Sequence, residues 1–238
     1  RPWFAEVEAV QRIALLAKVT GARVIVVHIS TPEAIDIVSE ARQSGVDIWT
    51  ETLPHQLCID LNSAGDDTRF KWNPPPRSRE AVDELWKRLS SGSIHSIASD
   101  HAPLAKKAGA DIWSQGPGAG NVLEVMLPIV ATEAARRGVG LPALVEAMCA
   151  NPARILGLYP RKGAIQIGAD ADLVVLETCG DRKIEARKLE FYKSEGKWSP
   201  YDGQTVTVYP EQTLVRGTLV YDRGEVVGPL GHGALIKK

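Results

Sequence analysis

The sequence has no cysteine pair to offer a thiolate site. Cys58, Cys149 and Cys179 are far apart and odd in number, which excludes a CxxC metal knuckle and reads as a chain of the reducing cytoplasm. No apolar run approaches the roughly 18 residues of a membrane-spanning helix, and no signal peptide opens the chain. Neither charge is in excess: 28 Lys and Arg stand against 29 Asp and Glu, a net charge of −1. That balance fits a globular protein and argues against a nucleic-acid binder or a disordered acidic tail. Repeats and low-complexity segments are lacking too. So are a GxGxxG after a strand, a P-loop and a GxSxG elbow, which leaves dinucleotide, nucleotide and serine-hydrolase readings without their main support. An initiator Met is also missing, and the first residues already read as helix, as expected of a fragment or a processed chain.

What is present is an alternation of elements. From Ala5 to Lys18 apolar residues recur at helical spacing, and Gly21 should stop that helix. "RVIVVHIS" is β-branched and continuous, the pattern of a strand buried on both faces. Thr31 reads as an N-cap, with Pro32 at the first position of a helix through Gly45. A strand "VDIWTET", an irregular loop through "WNPPPRS", a helix "REAVDELWKRLSSG" and a buried strand "IHSIASD" follow. Helical patterns then occupy 122–137, 141–150 and 151–158.

Strands alternating with helices indicate βαβ units around a parallel sheet, a fold in which chemistry sits at the C-terminal strand ends. His28, Glu51 and Asp100 each fall at such an end. After Pro160 the character changes. "KGAIQIGADADLVVLE" and "QTLVRGTLVYDRGEVVG" read as antiparallel strands, the segment 178–211 between them is polar, and "EGKWSPYDGQ" reads as a surface excursion. The division expected is therefore 1–160 and 161–238. A (β/α)8 barrel takes about 250 residues, so 160 residues with three or four strands make half a barrel, with an open sheet edge.

Several side chains could carry chemistry. His28 is either a hydrogen-bonded core histidine or a metal ligand, since neutral imidazole is a common zinc ligand. Asp100 follows the apolar Ile97-Ala98, where burying a carboxylate costs several kcal/mol unless it is paired or bound to a cation. It reads as a helix N-cap or as a metal ligand that also takes a proton from water. His101 points away from Asp100 and supports the site or the fold. His55 lies after a proline and reads as a surface turn or a site-facing residue. His95 and His232 read as structural or solvated. "NPPPR" (73–77) is rigid because each proline fixes φ, and "QGPGAG" (115–120) is flexible; either could meet a substrate.

Taken in order, "VIVVHIST", "ETLPHQL", "WNPPPRS", "IASDHAP" and "NPARILGLYPRKGAIQIGADADLVVLE" closely resemble the cyclic amidohydrolases: hydantoinases (dihydropyrimidinases), allantoinases and dihydroorotases. The resemblance runs over nearly the whole chain. It implies an α/β fold, the C-terminal half of a metal-dependent-hydrolase TIM (β/α)8 barrel followed by part of a small composite β-sandwich domain.

The resemblance also assigns roles. His28 matches the metal-binding histidine ending the sixth barrel strand, and Asp100 the aspartate after the eighth, which binds metal and acts as general base. Asn73 and the Gly118–Gly120 loop match segments that contact the cyclic substrate, with His101 and His55 standing behind the ligands. The implied cofactor is a divalent metal, a binuclear zinc centre first. The implied partners are a small cyclic amide or ureide and further copies of the chain in a dimer or tetramer. The remaining metal ligands, an HxH pair, a carboxylated lysine and another histidine, would precede Arg1, so the chain alone is expected to be inactive.

Dihydroorotases carry a second histidine in "DHAPH", where this sequence has Leu104. The stretches "LYPRKGAIQIGADADLVV" and "RPWFAEVEAVQRIA" resemble hydantoinases, whereas the histidine of "ETLPHQL" is more usual in allantoinases and dihydroorotases. Hydantoinase-like ring opening is the first expectation and allantoinase-like the second. The alternative from another class is a non-catalytic homologue with a structural role.

Overall fold

A computed structural model describes residues 1–102, 104, 106–116, 118, 120–189 and 198–236, without the side chain of Cys179. Helix α1 (Trp3–Thr20) ends at Gly21, whose φ of 69° puts it in the left-handed region and whose N–H bonds the Ala17 carbonyl. Glycine suits this position because it carries no Cβ. Strand β1 (Val24–Val26) leads to α2 (Pro32–Gln43), then β2 (Ile48–Thr52), short helices α3 (Pro54–Cys58) and α4 (Leu61–Ala64), and α5 (Arg79–Ser90). Strand β3 (Ser96–Ile97) is followed by α6 (Met126–Arg136), α7 (Leu141–Val145), a π-helical turn over Glu146–Ala150 and α8 (Asn151–Ile155).

The three strands form a parallel sheet in the order β1-β2-β3, with Val24 opposite Ile48 and Glu51 opposite Ser96. The crossovers contain α2 and α5, so the βαβ pattern holds. Among the described residues the strands close no barrel. β1 forms one edge of the sheet and departs from the expected strand buried on both faces: Ile25 and Val27 are exposed. An edge strand has a neighbour on one side only, so half of its apolar pattern finds no cover. Ala34, Ile35 and Val38 of α2, Ile48 of β2 and Val82, Leu85, Trp86 and Leu89 of α5 form the principal core with Val10 and Ala14 of α1. Leu85 and Trp86 are each buried to within a few per cent, and burial of such a side chain contributes about 1.5–3 kcal/mol.

The loop expected to be irregular before α5 instead contains α3, α4 and a 3-10 turn over Thr68–Phe70. Asp60 accepts from the Ser63 N–H at 2.7 Å to start α4, and Asp67 accepts from the Arg69 N–H to start the turn. These short caps carry no long periodicity and so leave no helical pattern in the sequence.

The C-terminal part is a four-stranded antiparallel sheet in the order β4-β5-β6-β7, comprising Leu173–Lys183, Thr205–Val215, Thr218–Asp222 and Glu225–Val226. Among the described residues it is one sheet. Two departures from expectation stand out. Ile165 and Ile167 are fully exposed in a turn-rich approach to β4 and belong to no strand. The polar stretch 178–211 supplies the far end of β4 and the start of β5, held across a bulge between Thr178 and Arg182. There the Arg182 guanidinium lies 3.6 Å over the Tyr209 ring, so a long polar side chain covers apolar surface.

The described end of "EGKWSPYDGQ" is not a surface excursion. Ser199 is buried, and Trp198 and Tyr201 pack beside Trp72, Val122, Val125, Ile129 and Val206 in a second core cluster. Two aromatic rings in a polar segment supplied the apolar area that burial needs. The tight links Arg216-Gly217 and Arg223-Gly224 have positive φ at both residues, the mirror-image hairpin turn that matches strand twist.

Candidate active site at the strand ends

His28 and Asp100 follow β1 and β3 at the C-terminal edge of the parallel sheet, with β2 between them. Both hold a left-handed backbone, φ 46° at His28 and 45° at Asp100. For non-glycine residues this costs about 1–3 kcal/mol and persists only where the surroundings enforce it. The surroundings here are backbone bonds: Ile29 donates to the Glu51 carbonyl at 2.8 Å and Ala98 to the Thr52 carbonyl at 3.1 Å. The Thr52 hydroxyl donates to the Ile29 carbonyl at 2.8 Å. The turns after the two outer strands are thus both fastened to β2.

Electrostatics joins the same residues. Burial pushes the Asp100 carboxyl above its ordinary range, and the His28 imidazole partly offsets this. Glu51, half-buried on β2, is raised by burial first and by Asp100 as well, while a hydrogen bond from the His28 backbone and the His28 charge pull the other way. Sequence reading placed Glu51 at a strand end without giving it a role; in the structure its carboxyl feels the charges of both other groups. A half-buried carboxylate that holds its proton more readily is a better-matched base near neutral pH than a solvated one.

The other expected residues divide. Asn73 shares a cavity of about 530 Å³ with His28, Glu6, Val26, Pro74 and Arg77, and its Oδ1 accepts from the Arg1 guanidinium. His101 stands beside Asp100 and its Nδ1 accepts from the N–H groups of Val122 and Leu123, each at 3.2 Å. That fastens the Asp100 turn to the segment leading into α6. Pro103, two residues after His101, lies outside the described residues.

Gly118 and Gly120 are buried against protein atoms. A Cβ at Gly118 would fall 2.9 Å from the Ala102 carbonyl oxygen, and one at Gly120 would fall 2.8 Å from the Trp198 ring. Gly120 also has φ 79° and donates to Ala102 O at 3.1 Å. Packing therefore accounts for both glycines.

His55 is not on a surface turn. It starts α3 fully buried, its ring 4.6 Å from that of Trp72. Among the described residues neither ring nitrogen has a hydrogen-bond partner, nor does Trp72 Nε1. Burial first, then the charge of His28, pulls its pKa down to about 3. His95 is structural: its Nδ1 accepts from the Thr50 N–H at 3.1 Å, and burial lowers its pKa to about 4. Near the C-terminus, the His232 ring lies against the Val215 carbonyl.

An imidazole and a carboxylate on neighbouring turns are suitable donors for a divalent metal. Zinc sites, however, take three or four protein ligands, and among the described residues no group of three or more His, Cys, Asp or Glu lies close enough to hold an ion. His28 and Asp100 fit as two members of a ligand set and do not complete one.

Two residues escaped sequence reading. Glu6 accepts from the N–H groups of Ser30 and Thr31 at 2.8 and 2.9 Å and from both their hydroxyls. Arg77 Nη2 reaches Glu6 at 3.3 Å and its Nε donates to Ser30 Oγ at 2.9 Å. The available signal was positional: Glu6 lies four residues before Val10, on the helix face that Val10, Ala14 and Ala17 bury, where a charge requires a partner.

Comparison with known proteins is consistent along the chain. The model of the Amidohydrolase family matches residues 5–220. An L-hydantoinase of Paenarthrobacter aurescens is 39% identical over 244 aligned positions, covering 100% of this chain and 52% of the relative. An allantoinase of Escherichia coli is 37% identical, covering 98% of this chain and 51% of the relative. Among solved structures, an L-hydantoinase (dihydropyrimidinase) from Arthrobacter aurescens superposes with a TM-score of 0.85 at 38% identity, over 96% of this chain and 51% of that one. The chain thus spans about half the length of the relatives it matches.

Proposed function

The chain belongs to the amidohydrolase family, and from that premise we propose that it contributes to an enzyme opening a cyclic amide or ureide ring by hydrolysis of a C–N bond. In this reading residues 1–160 are the C-terminal half of a metal-dependent-hydrolase (β/α)8 barrel and residues 161–238 part of a composite β domain. The observation that carries it is the placement of His28 and Asp100, two strained, electrostatically coupled residues at the C-terminal edge of one parallel sheet. Active sites of (β/α)8 enzymes are built at that edge.

A divalent metal centre, zinc first, would polarise the ring carbonyl and lower the pKa of the attacking water; His28 and Asp100 are the residues here that would help hold it. The chain's own contribution is acid–base chemistry and positioning. The Asp100 carboxylate takes the proton of the attacking water and returns it to the leaving ring nitrogen. His101 fixes the turn that presents Asp100. In this reading the Asn73 loop, which lines the His28 cavity, lines the approach for the ring, and the substrate's polar edge meets its backbone, while Gly118 and Gly120 pack behind it.

Hydantoinase-like chemistry stands first. The 39% identity to an L-hydantoinase supports it, with allantoinase-like chemistry second at 37%. Leu104, which packs on Gly116 and Gly118, argues against a carbamoyl-aspartate substrate. The test is ring opening by protein expressed from its complete reading frame, assayed with 5-substituted hydantoins and with allantoin. Higher kcat/KM on hydantoins is expected; preference for allantoin promotes the second reading, and no opening of either ring refutes both.

A further inference from the structure

We propose that Glu6 and Arg77 are positioning residues that set His28 and the Asn73 loop as one unit. This rests on the reading above for its functional consequence, though not for its structural one. The Glu6 carboxylate joins three separate segments. From α1 it reaches the turn after His28, where one oxygen accepts from Ser30 N, Thr31 N and Thr31 Oγ1, all within 2.9 Å. Its other oxygen accepts from Ser30 Oγ and from Arg77.

Arg77 ends the rigid "NPPPR" loop that begins at Asn73. Its guanidinium spreads over Glu6, Ser30 Oγ and the Arg1 carbonyl, a forked geometry that lysine cannot reproduce. The pair is withdrawn from water, with side-chain exposures of 11% for Arg77 and 16% for Glu6. Buried charge-assisted bonds are the strong ones, and losing one partner strands the other.

Geometry ties the pair to the site. Glu6 and Arg77 line the same cavity as His28 and Asn73. Thr31 occupies the N-cap of α2 yet makes no side-chain cap bond; its hydroxyl is given to Glu6 instead. The start of α2 is therefore organised around a carboxylate from another helix. The segment that follows the left-handed His28, three residues before Thr31, is fastened from one side where Ile29 bonds the Glu51 carbonyl of β2 and from the other where Ser30 and Thr31 bond Glu6.

The test uses Glu6→Gln and Arg77→Lys in protein expressed from its complete reading frame, with two readouts. By hydrogen exchange, the amides of Ser30 and Thr31 should exchange roughly tenfold or more faster in Glu6→Gln. The amide of Leu61, which donates to the Arg77 carbonyl at 2.8 Å, should do the same in Arg77→Lys, while amides of α5 stay as in the parent. In the ring-opening assay Glu6→Gln should lower kcat and Arg77→Lys should mainly raise KM.

Unchanged exchange at Ser30, Thr31 and Leu61, or exchange accelerated equally throughout, overturns the proposal. Local acceleration with kcat and KM both as in the parent overturns it as well. If the parent opens no ring, the functional reading fails by itself, and local against global acceleration still decides whether the pair positions these segments.

Discussion

His28 and Asp100 adopt nearly the same left-handed backbone on turns that leave the two outer strands of one sheet, each turn fastened to β2 between them. Strain at two such matched points favours geometry over stability. Burial adds to the cost at Asp100, whose carboxyl it raises above the ordinary range. Asn tolerates left-handed φ and carries no charge. Asp100→Asn is therefore expected to keep or raise the thermal midpoint while removing turnover; a midpoint lowered by several degrees would contradict this account of the strain.

Stability should fall on mild acidification. His55 and His95 hold pKa values of about 3 and 4 in the folded chain, through burial first and then through the charges of His28 and Arg42. Unfolded histidine titrates near 6.5, so between pH 6.5 and about 3 the unfolded chain takes up protons that the folded chain refuses. Their contribution is complete above pH 6.5 and is lost as pH falls. Asp100 and Glu51 are raised by burial and act in the opposite sense. For the fully buried His55 the loss is on the order of a few kcal/mol. Denaturant midpoints measured from pH 7 to pH 4 should drop, and His55→Leu should flatten that drop; an identical slope in the variant would contradict the assignment.

Two glycines should respond differently to a methyl group. Gly109 and Gly120 both have positive φ, but a Cβ at Gly109 meets open space and one at Gly120 meets the Trp198 ring. Gly109→Ala should cost about 1 kcal/mol from backbone strain alone, and Gly120→Ala about 2–4 kcal/mol from strain plus displaced packing. Equal costs by chemical denaturation would show that Trp198 does not press on the loop.

Residues 1–238 expressed alone should retain no stoichiometric zinc after gel filtration. Two donors fall short of the three or four that a tight site uses, and no third lies with them among the described residues. One ion held per chain would show that the ligand set closes within these residues.

Much of the framework was legible in the sequence because it rests on periodicity. α1, α2 and α5 follow apolar spacing and end at glycine or serine, and the βαβ alternation is a matter of length and order. The ends of β1 and β3 were legible for another reason: an ionisable residue after an apolar run needs an explanation. The surface-turn reading of His55 failed because a residue after a proline reads as a turn, and only packing against Trp72 from another segment shows it buried. Trp198 and Tyr201 were misjudged likewise, their burial depending on Val122 and Ile129 far away in the chain. The Glu6–Arg77 pair is 71 residues apart, and pairing at that distance leaves no local pattern.

The most direct measurement is turnover by the protein from its complete reading frame, parent against Asp100→Asn, on a 5-substituted hydantoin and on allantoin at pH 7–8. The account predicts ring opening by the parent and a loss of about a thousandfold or more in kcat for the variant, with circular dichroism and thermal midpoint retained. Near-parental turnover by a folded Asp100→Asn would contradict it.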